Sequence, residues 1–445
     1  MLDPVAVVRT LRLVSLPLGA AALGVEGLVR RGLGQDRDEV TRRQRQRTVA
    51  RTRRVLGELK GGALKAGQLL STVEALFPAD PEQSWREALT SLQESNAGMP
   101  WSDAEPVLRR ELGPRWRDLF EEFDERPAAS ASIGQVHRAV WRQGRLDVAV
   151  KVQYPGVREA ILSDVRAFSV ASRAAALVAR GVAMPPLVTE LRTRLLEELD
   201  YRREAANQQR FAAAYSPDSA DRDGADGDSE VVVPRVVHAA SRVLVQTWLD
   251  GVPLARVATD GTQQDRDRLG ELYQRFLLSG PARCGLLHTD PHPGNFRLLD
   301  DGRLGVLDFG SCLELPGGLP RTFGRLITAL LAGDDDDVLR ALREEGLVRP
   351  GARLEVAKLR DYLAPFSEPA RHERFHYTRD WLKGQFARVN DPRNPEFAVA
   401  LQLTIPPEQL FTHRVWLGIV GVLAQLGAQV PVRPELRRWL PGFEL

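Results

Sequence analysis

The sequence predicts an α+β protein with two lobes, a small β-rich lobe followed by a larger α-rich lobe. Residues 120–153 have the alternating pattern of strands, whereas beyond residue 265 almost every segment has the apolar spacing of a helix. A run of strands followed by a run of helices is typical of α+β proteins. A chain of 445 residues is long enough to give each lobe its own core.

Composition and charge indicate a globular protein of a reducing compartment. The chain is 43% hydrophobic and 27% charged, and its net charge of +2 gives no reason to expect a nucleic-acid partner. Two cysteines, Cys284 and Cys312, are too few for a disulfide framework. The apolar run at residues 415–430 contains Gln425 and Gln429, and it predicts a buried helix instead of a membrane span. We therefore expect a cytoplasmic protein.

The chain is predicted to divide into four segments. Residues 1–54 form an apolar and then arginine-rich helical extension. This extension either contacts the inner face of an anionic membrane peripherally or packs on the body as a solvated helix. Residues 55–119 indicate further helices. Residues 120–255 form the β-rich lobe, with a helical insertion and an acidic, disordered loop at 216–229, and residues 256–445 form the helical lobe.

A hairpin in the helical lobe is predicted to build a metal site. The Asp301-Gly302 pair lies between two short apolar runs, which is a strong hairpin signal. If these are the two turn residues, Asn295 lies directly opposite Asp308. An amide oxygen and a carboxylate suit Mg²⁺, which completes its shell with phosphate and water. Asp290 is expected at the same end of the hairpin, where it could accept a proton from a substrate hydroxyl.

The spacing of these residues is that of a kinase catalytic loop. Asp290 is followed five positions later by Asn295, and then by the Asp308-Phe309-Gly310 triplet. In kinases this order supplies the catalytic aspartate and two metal ligands. The alternative is that the aspartates are only turn residues.

The β-rich lobe contains a candidate phosphate-binding lysine. Two strands are predicted, Ser132–Trp141 and Leu146–Gln153, joined at Gln143-Gly144. The second contains Lys151 at the end of a Val-Ala-Val-Lys segment, and this lysine is one of only five in the chain.

A kinase needs a glutamate to orient this lysine. The helix predicted over residues 197–211 offers Glu204, with Asp200 one turn earlier on the same face and Glu198 on another face. The alternative is a solvated acidic helix.

The turn expected to cover the phosphates is the alanine-rich turn Pro127–Gly134. It is rich in alanine and serine where an ordinary kinase has glycines. Its backbone is therefore stiffer, and its approach to phosphate differs. The residues predicted to contact nucleotide here and near the adenine are Ser130, Ala131, Ser132, Ile133, Gln246 and Trp248.

These motifs together resemble the AarF/UbiB/ADCK family of atypical kinases. The resemblance spans roughly residues 55–315 in family order. It rests on the segments Leu64–Gln68, Ala131–His137, Val148–Lys151, Glu198–Tyr201, Glu204–Ala205, His288–Phe296 and Asp308–Gly310. It implies a bilobal protein-kinase-like fold that binds ATP or ADP with Mg²⁺. It also implies ATPase or small-molecule kinase activity that supports quinone or lipid metabolism.

The resemblance assigns a role to each motif. It implies that Lys65 and Gln68 lie on helices over the nucleotide cleft and that an acidic motif is coupled to these helices. It also implies the pairing of a phosphate-binding lysine with a glutamate, a catalytic aspartate and two metal ligands. The acidic motif is Glu198 and Asp200, and the lysine–glutamate pair is Lys151 with Glu204. The catalytic aspartate is Asp290, and the metal ligands are Asn295 and Asp308.

The sequence departs from the family pattern in two places that bear on the nucleotide. Ser130 replaces a common alanine, and Gln246-Thr247 replaces the usual Met-Glu of the hinge. Two other functions stay open. One is an aminoglycoside- or choline-type phosphotransferase, which shares the Asp-x4-Asn loop. The other is a nucleotide-binding regulatory module that never turns over. A small-molecule or lipid-like substrate is expected.

Overall fold

The computed structural model describes most of the chain after residue 98. The described residues are 99–131, 133–163, 165–166, 192–193, 195–216, 230–390, 394, 399, 402–404, 406 and 409–445. Several predictions lie outside them: the extension at 1–54, Lys65 and Gln68, Ser132, and nearly all of the acidic loop.

The described chain forms two compact units. One contains residues 99–200 and 240–243, and the other contains residues 201–239 and 244–445. The first contains an antiparallel sheet together with helical segments, and the second is mainly helical with short strands, so the predicted α+β class is confirmed. Among the described helices, none combines the length and the apolar character needed to cross a membrane.

The first unit contains an antiparallel sheet, and the helix Trp101–Leu112 packs against it. Strand β3 pairs with β1, β2 and β4. Its elements are helix α1 (Trp101–Leu112) and strands β1 (Phe120–Phe123), β2 (Ala129–Ser130), β3 (Gly134–Trp141) and β4 (Leu146–Gln153). The expected hairpin of β3 and β4 is confirmed, with Val136 opposite Lys151. Its turn places Gly144 at φ +84° and Arg145 at φ +50°.

Gly134, in the alanine-rich turn, is required by packing between strands. A Cβ on Gly134 would lie 2.9 Å from the carbonyl carbon of Val152 and closer still to its oxygen. The turn is tight, since the Ala131 amide donates to the Gly134 carbonyl at 2.8 Å. This glycine therefore lets β3 approach β4.

An aromatic cluster attaches α1 to this sheet. Trp116 is buried, and its ring lies 5.2 Å from Phe123 and 6.0 Å from Trp101. Arg117 stacks over Trp116 at 4.8 Å. Such aromatic contacts stabilise the packing beyond the burial of apolar area.

The second unit packs its helices around a long central one. Helix α4 begins at a capping box in which the Thr262 hydroxyl accepts from the Asp265 amide at 3.1 Å. It ends at Gly285, which has φ +67°. The helices are α2 (Tyr201–Ala214), α3 (Leu254–Asp260), α4 (Gln263–Cys284), α5 (Arg321–Ala332), α6 (Asp335–Glu344), α7 (Val356–Ser367), α8 (Arg379–Asn390), α9 (Leu410–Leu426) and α10 (Arg433–Trp439).

Short strands run between these helices, and six of the described strands lie beyond residue 265, where a single hairpin was predicted. They pair as β5 with β11, β6 with β7, β8 with β10, β9 with β12, β10 with β11 and β13 with β14. The strands are β5 (Val231–Val232), β6 (Val236–Ala239), β7 (Val243–Thr247), β8 (Val252–Pro253), β9 (Leu286–His288), β10 (Phe296–Leu298), β11 (Leu304–Val306), β12 (Cys312–Glu314), β13 (Arg374–His376) and β14 (Gln429–Pro431).

The hairpin of β10 and β11 is present, but its predicted register is wrong by one residue. Leu298 pairs with Leu304, and the Leu299 amide donates to the Arg303 carbonyl at 2.9 Å. The loop thus has three residues and ends with Gly302 at φ +80°. A third residue in the left-handed region forms a bulge, which moves the register relative to a two-residue turn.

Two helices have limits that differ from the predicted ones. The helix expected over residues 197–211 is interrupted, because residues 198–200 form a turn and α2 begins at Tyr201. The buried helix expected at 415–430 exists as α9, but it begins at Leu410 and ends at Leu426. Gly427, at φ +63°, caps it before β14.

Candidate active site

The Asp290 loop leaves β9 and returns through a short 3-10 helix, Pro293–Asn295, into β10. The prolines of this loop prevent a longer helix. The Asn295 amide donates to the Asp290 carboxylate (Oδ2) at 2.9 Å and to the Asp290 backbone carbonyl at 3.2 Å. The amide NH₂ is therefore committed to Asp290, which leaves the Asn295 amide oxygen as an acceptor.

Backbone hydrogen bonds place the Asp308 segment beside this loop. The Leu307 amide donates to the Asn295 carbonyl at 2.9 Å, so Asn295 lies opposite Leu307 and one residue from the predicted partner, Asp308. The Thr289 amide donates to the Ser311 carbonyl at 3.0 Å. The predicted convergence of the two segments is confirmed, although the direct pairing is not.

The donor set at this place fits Mg²⁺. Asn295 offers an amide oxygen and Asp308 a carboxylate, of which one oxygen accepts the Gly310 amide at 3.0 Å. Mg²⁺ in phosphate-transfer sites is held by one or two protein oxygens together with phosphate and water. In the part of the chain that the structure describes, no three His, Cys, Asp or Glu side chains form a metal-binding group. Metal binding by Asn295 and Asp308 stays a prediction.

The buried His288 side chain contacts the backbone of the Asp308 segment. The His288 ring is 1% exposed, and its Nε2 lies 2.7 Å from the Asp308 carbonyl. Burial lowers the pKa of His288, so the neutral ring donates its Nε2–H. Four phenylalanine rings surround it at 5.6 to 6.4 Å: Phe211, Phe276, Phe296 and Phe309.

One face of α2 contacts the Asp308-Phe309-Gly310 triplet. Glu204 is 4% exposed, and its carboxylate accepts the Phe309 amide at 3.5 Å. Asn207, one turn later, donates to the Phe309 carbonyl at 3.1 Å. Phe211, two turns later, packs on the Phe309 ring at 5.2 Å. Because positions i, i+3 and i+7 share a helix face, one face of α2 fixes the triplet.

The candidate nucleotide residues are distributed over both units. In the first unit, Lys151 is 5% exposed in β4, and Ser130, Ala131 and Ile133 lie in or beside the alanine-rich turn. Glu198 and Asp200 lie in the turn at 198–200. The pairing of Lys151 with Glu204 stays a prediction, since the two residues belong to different units.

The hinge residues lie in the second unit. Gln246 is 3% exposed and donates its amide to the Leu307 carbonyl at 3.2 Å, directly before Asp308. The Trp248 indole donates to the Asp250 carboxylate at 2.8 Å. Adenine contact by Gln246 and Trp248 stays a prediction.

Arg414 lies in the site although no sequence motif predicted it. Its guanidinium lies 2.9 Å from the Asp290 carboxylate (Oδ1), although the two residues are 124 positions apart. Arg414 is the only Asp, Glu, Lys or Arg in the 17 residues of α9. A single charge in an apolar helix is costly unless it is paired, and this was the available signal.

Comparisons with known proteins show similarity to atypical kinases. The family model described as "ABC1 atypical kinase-like domain" matches residues 91–342, more than half of the chain. The chain is similar to the atypical mitochondrial kinase COQ8 of Saccharomyces cerevisiae, with 29% identity over 84% of this chain and 72% of that one. It is also similar to COQ8 of Schizosaccharomyces pombe, with 32% identity over 62% of this chain. That match spans only 43% of the fission-yeast protein.

A solved structure extends the similarity to nearly the whole chain. It is Rv3197 of Mycobacterium tuberculosis in complex with erythromycin, at 38% identity and a TM-score of 0.67. The match covers 92% of this chain and 99% of Rv3197. The predicted bilobal, protein-kinase-like fold is thereby confirmed. The chain belongs to the UbiB-type, or ABC1, family of atypical kinases.

Proposed function

We propose that this protein is an ATP-binding, Mg²⁺-dependent enzyme that transfers the terminal phosphoryl group of ATP to a small acceptor or to water. The observation that carries the proposal is the Asp290 carboxylate, which the Asn295 amide holds at 2.9 Å beside the Asp308 segment. Family membership supports the reaction class. In such a reaction, catalysis consists mainly of positioning and charge stabilisation.

Each residue of the site has a role in this proposal. Asp290 orients the acceptor hydroxyl or water and accepts its proton. Asn295 and Asp308 would hold Mg²⁺, which neutralises phosphate charge when bound. Lys151 would contact the phosphates, with Glu204 orienting it.

The acceptor is proposed to be a small molecule or a lipid-like compound, in quinone or lipid metabolism. Residues 1–54 would bring the protein to an anionic membrane surface. The similarity to Rv3197 favours a macrolide as a second ligand candidate, because that protein is described in complex with erythromycin and matches 92% of this chain. Erythromycin that raises the melting temperature in a dose-dependent way would support this ligand, and an unchanged melting temperature would exclude it.

The function is tested by nucleotide binding and Mg²⁺-dependent phosphate release on the full chain. Wild type is compared with Lys151→Ala and Asp308→Asn, with and without anionic vesicles. Asp301→Asn is the matched control, because Asp301 is an exposed carboxylate at the tip of the same hairpin. Loss of release in the two site variants but not in the control supports the proposal. Stimulation by vesicles supports a membrane-linked acceptor.

The Asp290→Asn variant separates the alternatives. An enzyme loses turnover in this variant and keeps nucleotide binding. A regulatory module binds nucleotide equally in both forms and turns over in neither. Folded wild type that binds no nucleotide contradicts both readings. Turnover stimulated by an aminoglycoside or by choline would instead favour the small-molecule phosphotransferase.

A further inference from the structure

Arg414 is the only Asp, Glu, Lys or Arg side chain in helix α9. The segment from Leu410 to Leu426 contains one other ionisable side chain, His413. Burial lowers the pKa of His413 to about 4, so its ring is neutral near pH 7. The Arg414 side chain is only 20% exposed. Burying such a charge is unfavourable unless a partner compensates for it, so the position of that partner is informative.

The partner is Asp290, the catalytic aspartate of the proposed reaction. With this contact, both carboxylate oxygens of Asp290 accept hydrogen bonds. Arg414 donates to Asp290 Oδ1 at 2.9 Å, and Asn295 donates to Oδ2 at 2.9 Å. The two donors come from different elements, α9 and the 3-10 helix before β10. A carboxylate held at both oxygens by separate elements has a fixed plane and little freedom to rotate.

Two contacts hold Pro291, the residue that follows Asp290 in the loop. Gly418, one turn after Arg414, lies against Pro291, where a Cβ on the glycine would be 2.7 Å from Pro291 Cβ and closer still to Cγ. The Tyr273 hydroxyl donates to the Pro291 carbonyl at 2.8 Å. Because α9 packs closely against Pro291, the helix that carries Arg414 is held in place beside Asp290.

We propose that Arg414 is a positioning residue for phosphoryl transfer: it holds the Asp290 carboxylate in the orientation that receives the acceptor hydroxyl. The inference rests on the proposed function and deepens it, since it assigns the acceptor side of the site a second residue, from α9. Arg414 acts through Asp290, so its loss should reduce the rate of the chemical step and leave nucleotide affinity nearly unchanged.

The test uses full-length Arg414→Gln and Arg414→Lys in steady-state ATP hydrolysis, with ADP affinity measured by calorimetry. For Arg414→Gln we expect kcat per folded molecule to fall by about 10- to 100-fold, as a small misplacement of a catalytic group does. The KM for ATP and the Kd for ADP should stay within about threefold of wild type, because the change affects mainly the transition state. Arg414→Lys keeps the charge and should recover part of kcat, as should guanidinium added to Arg414→Gln.

A double variant tests whether Arg414 acts through Asp290. Asp290→Asn should leave only a residual kcat, and adding Arg414→Gln should not lower that residual kcat further, since coupled residues are not additive. If wild type turns over and depends on Asp290, but folded Arg414→Gln keeps its kcat, the inference fails and the proposed function stands. If wild type does not turn over, the proposed function fails and the inference fails with it. Should Arg414→Gln not fold, wild-type kcat in Arg414→Lys would contradict the inference.

Discussion

The neutral ring of His288 donates from Nε2 to the backbone carbonyl of Asp308 at 2.7 Å. His288 is the first residue of the catalytic-loop motif, and Asp308 is the candidate metal ligand 20 positions later. The adjoining strands pair His288 with Cys312. A buried side chain thus holds the backbone at Asp308 beside the loop that carries Asp290.

Replacing His288 by leucine should weaken both stability and activity. The Asp308 carbonyl would lose its buried donor, which costs about 1–3 kcal/mol of unfolding free energy. Mg²⁺-dependent phosphate release should also fall by about tenfold, since a small shift of the ligand affects positioning. Urea unfolding and phosphate release measure the two effects. His372→Ala is the control, because His372 is exposed and lies outside the catalytic loop, and an equal loss in that variant would contradict the role of His288.

Two glycines of α9 should respond in opposite ways to alanine. Gly418→Ala forces a Cβ into Pro291, whereas a Cβ on Gly421 would have no atom within 4 Å. We expect Gly418→Ala to lower the melting temperature and activity, because it displaces the catalytic loop. Gly421→Ala should keep activity and gain about 0.5–1 kcal/mol of stability from the better helix former. Equal behaviour of the two variants would contradict the close contact of α9 with the loop.

Arg275 should be a strong stability determinant away from the site. It lies 2.9 Å from Glu435, with side chains 17% and 7% exposed. Although burial opposes its charge, the carboxylates of Glu435, Glu230 and Glu271 raise the pKa of Arg275 further above its usual value. Arg275→Met should cost about 3–5 kcal/mol, because it leaves a buried carboxylate without its partner.

The control for this prediction is an exposed ion pair in the same unit. Arg256 and Asp260 lie 3.6 Å apart on α3 and are 74% and 65% exposed. Arg256→Met should change the unfolding free energy by less than about 0.5 kcal/mol. Chemical denaturation measures both variants, and a small loss in Arg275→Met would show that the cluster contributes little.

Stability should fall as the pH decreases from about 6.5 to about 4, in part because of His413. Its Nδ1 is buried without a hydrogen-bond partner, and burial lowers the pKa of His413 to about 4. In this pH range the unfolded chain binds a proton that the native ring does not, so acid favours unfolding. Below about pH 4 both states bind the proton, and this contribution no longer changes. His413→Leu should reduce the slope of unfolding free energy against pH, and an unchanged slope would exclude this contribution.

The sequence by itself determined the order and spacing of the candidate site residues. The order of Asp290, Asn295 and Asp308 is a property of the chain, and the Asp301-Gly302 signal for a hairpin is local. For this reason the convergence of these segments could be predicted. The strand that carries Lys151 was predicted with its observed limits for the same reason, since its alternating pattern is local.

Only the tertiary structure decided the features that depend on distant contacts. The register of the hairpin depends on the backbone conformation of Gly302, and the break at 198–200 overrides a helical pattern. The ion pair of Arg414 with Asp290 joins residues 124 positions apart, and His288 meets Asp308 across a strand pair. Local propensity determines which residues form an element, but burial and pairing between elements determine which side chains meet. This is why Asp290 could be proposed as the catalytic residue from the sequence, whereas Arg414, which binds its carboxylate, could not.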